Sequence, residues 1–473
     1  MPLILGANSV TGGYEIDNSL RFNVGSSDSL ERTVGSGGST TTGTISFWVK
    51  RGDTGATQYF YTNKNTVSNA SFGVLLSSDS FYVFQYDGTS PFNPANYQIN
   101  LQTPSVFRDY SAWYHIVLII DTSNGTEANR IRLYVNNVQQ TLNKVGNQPT
   151  VTLNLSVPFL YDGGVSKICS DYAGGNYFGG YLSEFNLIDG QALAPSDFGE
   201  FDEDSGIWKP IAYTGTYGTN GFYLEFKDSS ALGDDSSTNG NDFTVNNLTS
   251  IDQTTDTPTN NFCTANPLHF NATIPSANTL SDGNLTFTSS QGASAYPAFY
   301  STIGASQGKW YAEFKVTTAN SAIIGIGSGI ATGGFLGGGL YDYAYYYDGV
   351  FVNNGGNTGS QSSYTDGNII SVAMDLDNNK IYVAKDNVWQ HSGDPSAGTG
   401  GFVITAPASN NTGTYLIAYG DAGGGTPAIQ GNFGNPPFAI TTGNEDANGY
   451  GNFEYAVPSG YYALNTKNLA EYG

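Results

Sequence analysis

The feature that most restricts how this chain can fold is a recurring alternation of apolar and polar residues with a period of two. It runs through "TISFWVKR", "SFGVLLS", "SFYVFQY", "WYHIVLIID" and "RIRLYVNN". Beyond residue 260 it returns in "KWYAEFKVT", "NIISVAMDLDNNKIYVAKD" and "TYLIAYGD". A period of two places every second side chain on one face of an extended strand, whereas a helix face needs spacings of three and four. Each stretch is short and closes on Gly, Asn, Asp or Pro, the residues that turn a chain between antiparallel strands. Composition points the same way: 61 Gly, 33 Tyr and 27 Phe stand against 2 Met and only 12% charged residues, so helix formers are scarce. The expectation is an all-β protein, and 473 residues are too many for one ordinary core.

Charge limits the partners. Lys and Arg number 17 against 40 Asp and Glu, a net charge of −23. Such a surface repels phosphate backbones and anionic bilayers, which excludes nucleic acid as an expected partner. Cys169 and Cys263 are too few for a disulfide framework and have no metal-ligand spacing. The opening "MPLILGANSV" lacks the charged start of a signal peptide, and no apolar run approaches the ~20 residues of a spanning helix. Synthesis in a cytoplasm without membrane insertion is the expectation.

Patterning divides the chain into a Gly/Asn-rich lead-in (1–16), a β-rich module (17–250), a Thr/Asp/Pro-rich linker (251–265) and a second β-rich module (266–473). "GTISFWVKR", "AWYHIVLIID", "RIRLYVNNVQQ" and "FGGYLSEFNLIDGQALAPSDF" occur in the order of the strands of a laminin-G-like domain, so the first module resembles that branch of the concanavalin A-like superfamily. The second resembles a SPRY domain through "GKWYAEFKV", "IIGIGSG", "DGNIISVAMDLDNNKIYVAKDNVW" and "IQGNFGNPPF". Lys385-Asp386-Asn387 departs from that family's Asn-Gly turn, as does a Gly/Tyr-rich insertion at 333–349. These resemblances imply two tandem concanavalin A-like jelly-roll β-sandwiches. "DSSTNGNDF", which opens laminin-G-like domains, here follows one, so residues 221–250 are expected to return and complete the first sandwich.

Candidate chemistry is sparse. A glycan hydrolase of this superfamily needs carboxylates about 5–5.5 Å apart, carried as Glu-x-Asp-x-x-Glu on one strand face. "EIDNSL" (15–20) and "EFDEDS" (200–205) end in Leu20 and Ser205, so both lack the last carboxylate. His115, His269 and His391 are the only histidines, and the resemblance gives His115 a structural place. No catalytic residues are expected. Calcium is the candidate ion, because "GDDSSTNGND" supplies Asp234, Asp235, Asn239, Asn241 and Asp242; the alternative is an Asx turn holding its own backbone. Aromatic ligand contacts are expected at Tyr343, Tyr345, Tyr346, Tyr347 and Trp389, with alternation setting Tyr346 opposite the other tyrosines. The aromatic "YFYTNKN" (59–65) is a candidate intersubunit contact.

The bridge "LGDDSSTNGNDFTVNNLTSIDQTTDTPTNNF" and the ending "YAVPSGYYALNTKNL" resemble modular virion proteins of marine bacteriophages. That resemblance implies a non-enzymatic structural protein of the virion surface, a head or tail appendage or decoration, homo-oligomeric and touching other virion proteins and host-surface glycans. The competing readings are a glycan-binding adhesin or receptor-binding tail fibre, and a polysaccharide depolymerase.

Overall fold

A computed structural model describes residues 13–54, 57–88, 96–146, 150–271, 278–290, 296–330 and 334–473. The chain forms two compact units that meet in sequence between Thr259 and Asn260. Both are built from β-sheets whose described strands pair antiparallel, apart from one short parallel pair in the second unit, and the one α-helix among the described residues is Thr466–Tyr472.

In the first unit, one sheet runs in spatial order Val138–Gln139, Ile131–Val135, Trp113–Asp121, Thr42–Arg51, Gly180–Asp189, Ser19–Phe22 and Gln253–Thr254. The second runs Asn143–Lys144, Tyr97–Gln102, Ser80–Tyr86, Ser71–Ser77, Gln58–Lys64, Val165–Ile168, Ser29–Thr33 and Thr244–Asn246. Their inner faces enclose an aromatic core in which Phe47 stacks on Phe185 at 5.1 Å and Phe60 meets Phe81 and Phe178. Residues 222–224 join the first of these sheets, where Phe222, Tyr223 and Leu224 pair antiparallel with Leu187, Asn186 and Phe185.

The linker expected at 251–265 has a different course. Gln253–Thr254 forms the sheet edge beside Ser19–Phe22, and Asp256 is fully buried in an ion pair with Lys50 at 2.7 Å, its other oxygen accepting from Trp113 Nε1 at 3.1 Å. Thr/Asp/Pro composition suggested an exposed connection, yet buried charges need partners, and here Asp256 answers a lysine emerging from the central strand. Of the lead-in 1–16, residues 1–12 lie outside the described residues; Ile16 is buried, and its N–H donates to Thr259 Oγ1.

The second unit pairs a sheet of seven strands, Ala265–Asn271 at one edge and Gly356–Ser360 at the other, with one centred on Lys309–Thr318, Ile369–Asp375 and Lys380–Lys385. Its core holds Trp310, Phe314, Tyr345, Met374, Tyr419 and Phe433. The chain's end folds over the outer face of the latter sheet, where Tyr462–Ala463 pairs parallel to Lys309–Thr318. Buried Glu313 fixes this strap by accepting from the Glu454 and Tyr455 N–H groups, both at 2.8 Å.

The hairpins at 131–139 and 380–389 are alike in detail. Asn136–Asn137 and Asp386–Asn387 each form a two-residue loop with both φ positive, the geometry of a type I′ turn. Asp and Asn tolerate that region, so Asp386-Asn387 makes the turn without a glycine.

Candidate functional site

An aromatic concavity lies on the outer face of the second sheet of the first unit. On Ser71–Ser77, the residues facing away from the core are Ser71, Gly73, Leu75 and Ser77; on Ser80–Tyr86 they are Tyr82, Phe84 and Tyr86. Registry sets Leu75 opposite Tyr82, Gly73 opposite Phe84 and Ser71 opposite Tyr86. Two β-bulges add the walls. Pairing slips at Phe60, between Tyr59↔Leu75 and Tyr61↔Val74, so Phe60 and Tyr61 both enter the core while Tyr59 turns outward. It slips again at Gln98, between Gln85↔Ile99 and Tyr86↔Tyr97, which brings Tyr97 onto the same face. Re-aiming a side chain is what an extra residue in a strand does.

These residues, with Tyr172, line a trough of about 280 Å³. Leu75, Phe84 and Tyr86 form the buried floor, and Tyr59, Tyr82, Tyr97 and Tyr172 are half-exposed. Tyr59 and Tyr97 stand edge-on to the Phe84 ring at 6.1 and 6.2 Å, at 84° and 75°. Gly73 makes this possible: a Cβ there would lie 2.3 Å from Phe84 Cε1. The Phe84 ring therefore lies over the Gly73 backbone. From Tyr82 to Tyr86 the face extends about 13 Å at ~3.3 Å per residue. Burial pushes the Tyr82 phenol up to about 12 and that of Tyr59 further, so both stay neutral donors and acceptors through the ordinary pH range.

The tyrosines expected from sequence to meet a ligand have other work. Tyr343 and Tyr345 are buried in the second unit's core, the first with its hydroxyl at 3.2 Å from Thr405 Oγ1 and the second donating to Ser362 O. Tyr347 packs against the same core. Tyr346 points to the opposite face, half-buried among Tyr300, Ile323 and Leu336, and donates to Leu336 O at 3.2 Å. Trp389 packs edge-on against Tyr382 at 6.4 Å. Strand alternation separates these residues instead of converging them, and residue 333 of the insertion lies outside the described residues.

The candidate calcium loop is organised around its own backbone. Asp235 Oδ1 accepts from the Tyr223 and Ser237 N–H groups, Oδ2 from Asn241 N–H, and Asp242 Oδ1 from Asp235 N–H. Asn239 and Asn241 turn their amide nitrogens to backbone carbonyls, both reaching Gly221 O. Asn241 Oδ1 accepts from Arg32 Nη2 at 2.9 Å, placing a guanidinium where a cation would compete. Asp234 is exposed. Among the described residues no three His, Cys, Asp or Glu side chains form a metal-holding group, and this donor set does not fit calcium.

His115 is enclosed between Trp48 and Trp208, its ring stacked on both. Trp208 Nε1–H can only donate, and it does so to Nδ1 at 3.0 Å, so Nε2 carries the proton and donates to Ser46 Oγ at 2.9 Å. Burial depresses its pKa to about 3. Of the two incomplete carboxylate motifs, Glu15 and Asp17 are exposed, while Asp202 pairs with Lys209 at 3.1 Å.

Residues 24–197 match the Laminin_G_3 domain of the concanavalin A-like lectin/glucanases superfamily. A search of curated proteins returns no match. The SPRY domain of human HERC1 is 14% identical, with 33% of this chain and 91% of that one covered and a TM-score of 0.26. A heptameric SAP-like pentraxin from Limulus polyphemus is 16% identical over 38% and 80% of the two chains, with a TM-score of 0.28. A Bacteroides ovatus protein named for carbohydrate binding is 12% identical over 49% and 59%, with a TM-score of 0.32. Over residues 24–197 the chain is thus similar to the concanavalin A-like lectin/glucanases superfamily, in an all-β architecture.

Proposed function

We propose that this chain is a non-enzymatic virion-surface protein of a phage, a head or tail appendage, that holds host-surface glycans in the tyrosine trough of its first unit. The trough carries the reading: an aromatic floor between phenols set near-perpendicular to it suits the C–H face of a pyranose, and phenol and serine hydroxyls suit its hydroxyl groups. The lectin-superfamily match over residues 24–197 supports the same class of ligand. Binding rather than cleavage is supported by the lining, which contains no carboxylate, histidine or cysteine. Placement on a phage particle, contact with other virion proteins and homo-oligomerisation rest on the resemblance of the bridge and chain end to virion proteins.

The test is a polysaccharide array probed with the full chain, run beside a reducing-sugar assay. Binding that is lost in Tyr97→Ala, with no sugar released, is the expected result. Release of reducing ends would replace this reading with depolymerase, and failure to bind any polysaccharide would leave a purely structural role. A map of the intact particle with density for this chain at its surface is expected; its absence from purified particles would remove the virion assignment.

A further inference from the structure

The trough is uncharged throughout. Its lining is five tyrosines, two serines, a leucine and a phenylalanine. The nearby charges do not favour an anion. Asp171 is close enough to help push the Tyr59 phenol up, after burial itself. Its carboxylate holds its own loop, accepting from the Ala173 and Gly175 N–H groups and from Asn176 Nδ2. Lys64 Nζ lies over the Tyr172 ring at 4.6 Å, a contact that engages its charge on the aromatic face. Around this site the whole chain carries −23.

An anionic sugar would approach a surface of its own sign and then lose water in a cleft whose lining offers no cation. A neutral sugar meets neither penalty. Its C–H face covers the rings, and hydroxyls that both donate and accept answer its own. We infer that the trough selects neutral polysaccharides and rejects those bearing uronate, sulfate or phosphate groups, an inference that rests on the glycan-binding reading above. Two properties follow. Binding is insensitive to ionic strength, because no charge pair is screened. It is also level across neutral pH where it depends on Tyr59, Tyr82 and Tyr97, whose phenols burial pushes up.

Affinity electrophoresis of the full chain tests this in gels containing a neutral β-glucan, a neutral galactomannan, alginate or a sulfated galactan. Retardation by a neutral polymer is expected, equal at low and high salt. It should fall about tenfold or more in Tyr97→Ala, the effect of losing one aromatic contact. Tyr97→Phe keeps the ring and should stay within a few-fold of wild type, which separates lost binding from lost folding. Retardation by alginate or the sulfated galactan alone, abolished by salt or by Lys64→Ala, would overturn the charge inference and leave glycan binding standing. No retardation in any gel would overturn the glycan-binding reading itself.

Discussion

Glu184 offers the sharpest test of how the first unit is assembled. It sits at the bulge of the Gly180–Asp189 strand with φ of 52° and is 7% exposed. The strand's neighbour changes there. Ser19–Phe22 pairs with residues 180–182, and the returning Phe222–Leu224 pairs with 185–187. At the junction Tyr14 OH donates to Glu184 Oε2 at 2.9 Å and Tyr223 OH to Oε1 at 2.6 Å; the two phenols lie 3.2 Å apart. Tyr217 stacks on Tyr223, and the Glu225 charge acts on Glu184. Burial outweighs the two donors and raises the Glu184 carboxyl from 4.5 to about 7. The folded state therefore keeps a proton that the unfolded chain releases, and stability from this group falls as pH rises from about 4.5 to about 7. At ~1.4 kcal/mol per pH unit, the ionised form costs about 3 kcal/mol at pH 8. Glu184→Gln is neutral at every pH, and the paired phenols can accept from its amide. The variant should be more stable than wild type at about pH 8 by up to ~3 kcal/mol, slowing globally limited exchange by about a hundredfold. Its advantage should vanish below about pH 4.5. Hydrogen exchange of peptides covering 180–189 and 222–224, compared at matched pH, reads this in the first unit alone. A variant less stable than wild type at pH 8 would show that the phenols hold an ionised carboxylate, and would refute the reasoning.

Other outcomes follow from single contacts. Asp256→Ala strands Lys50, only 1% exposed, and should destabilise the first unit by about 3–5 kcal/mol in urea unfolding; a loss below 1 kcal/mol would mean the lysine finds water. Gly73→Ala should displace the Phe84 ring, cost about 1–3 kcal/mol and weaken glycan binding, as calorimetry with a bound polysaccharide would read. His115 should show no titration between pH 5 and 8 by NMR and should report an Nε2-protonated ring; a midpoint near its ordinary value would contradict the Trp208 contact. Tyr346→Ala should destabilise the second unit by about 1–2 kcal/mol and leave glycan binding untouched.

The alternation of residues made the sheets legible, because one face had to be buried and period two left little choice of which. The returning strand could be read because "DSSTNGNDF" stood on the wrong side of a recognisable module. The fate of 251–259 could not, since a buried Asp256 has no sequence signal apart from the lysine that meets it across more than 200 residues. Tyr343, Tyr345, Tyr346 and Tyr347 are close in sequence, yet a strand disperses neighbours to two faces, and both faces there are packed against other residues. The trough did leave a signal in "SFYVFQY". Phe81 and Val83 satisfy the core, so Tyr82, Phe84 and Tyr86 on the other parity mark a second apolar face. What sequence could not supply was the pair of bulges, which depend on cross-strand register and turn Tyr59 and Tyr97 into the walls.

Under the proposed function the outer face of that sheet is a sugar-binding surface. A crystal structure of the full chain with a neutral oligosaccharide bound tests it most directly. A pyranose ring lying over the Phe84 floor between Tyr59 and Tyr97 is the expected result. A sugar held instead at the tyrosine-rich strands of the second unit, with the trough empty, would contradict it.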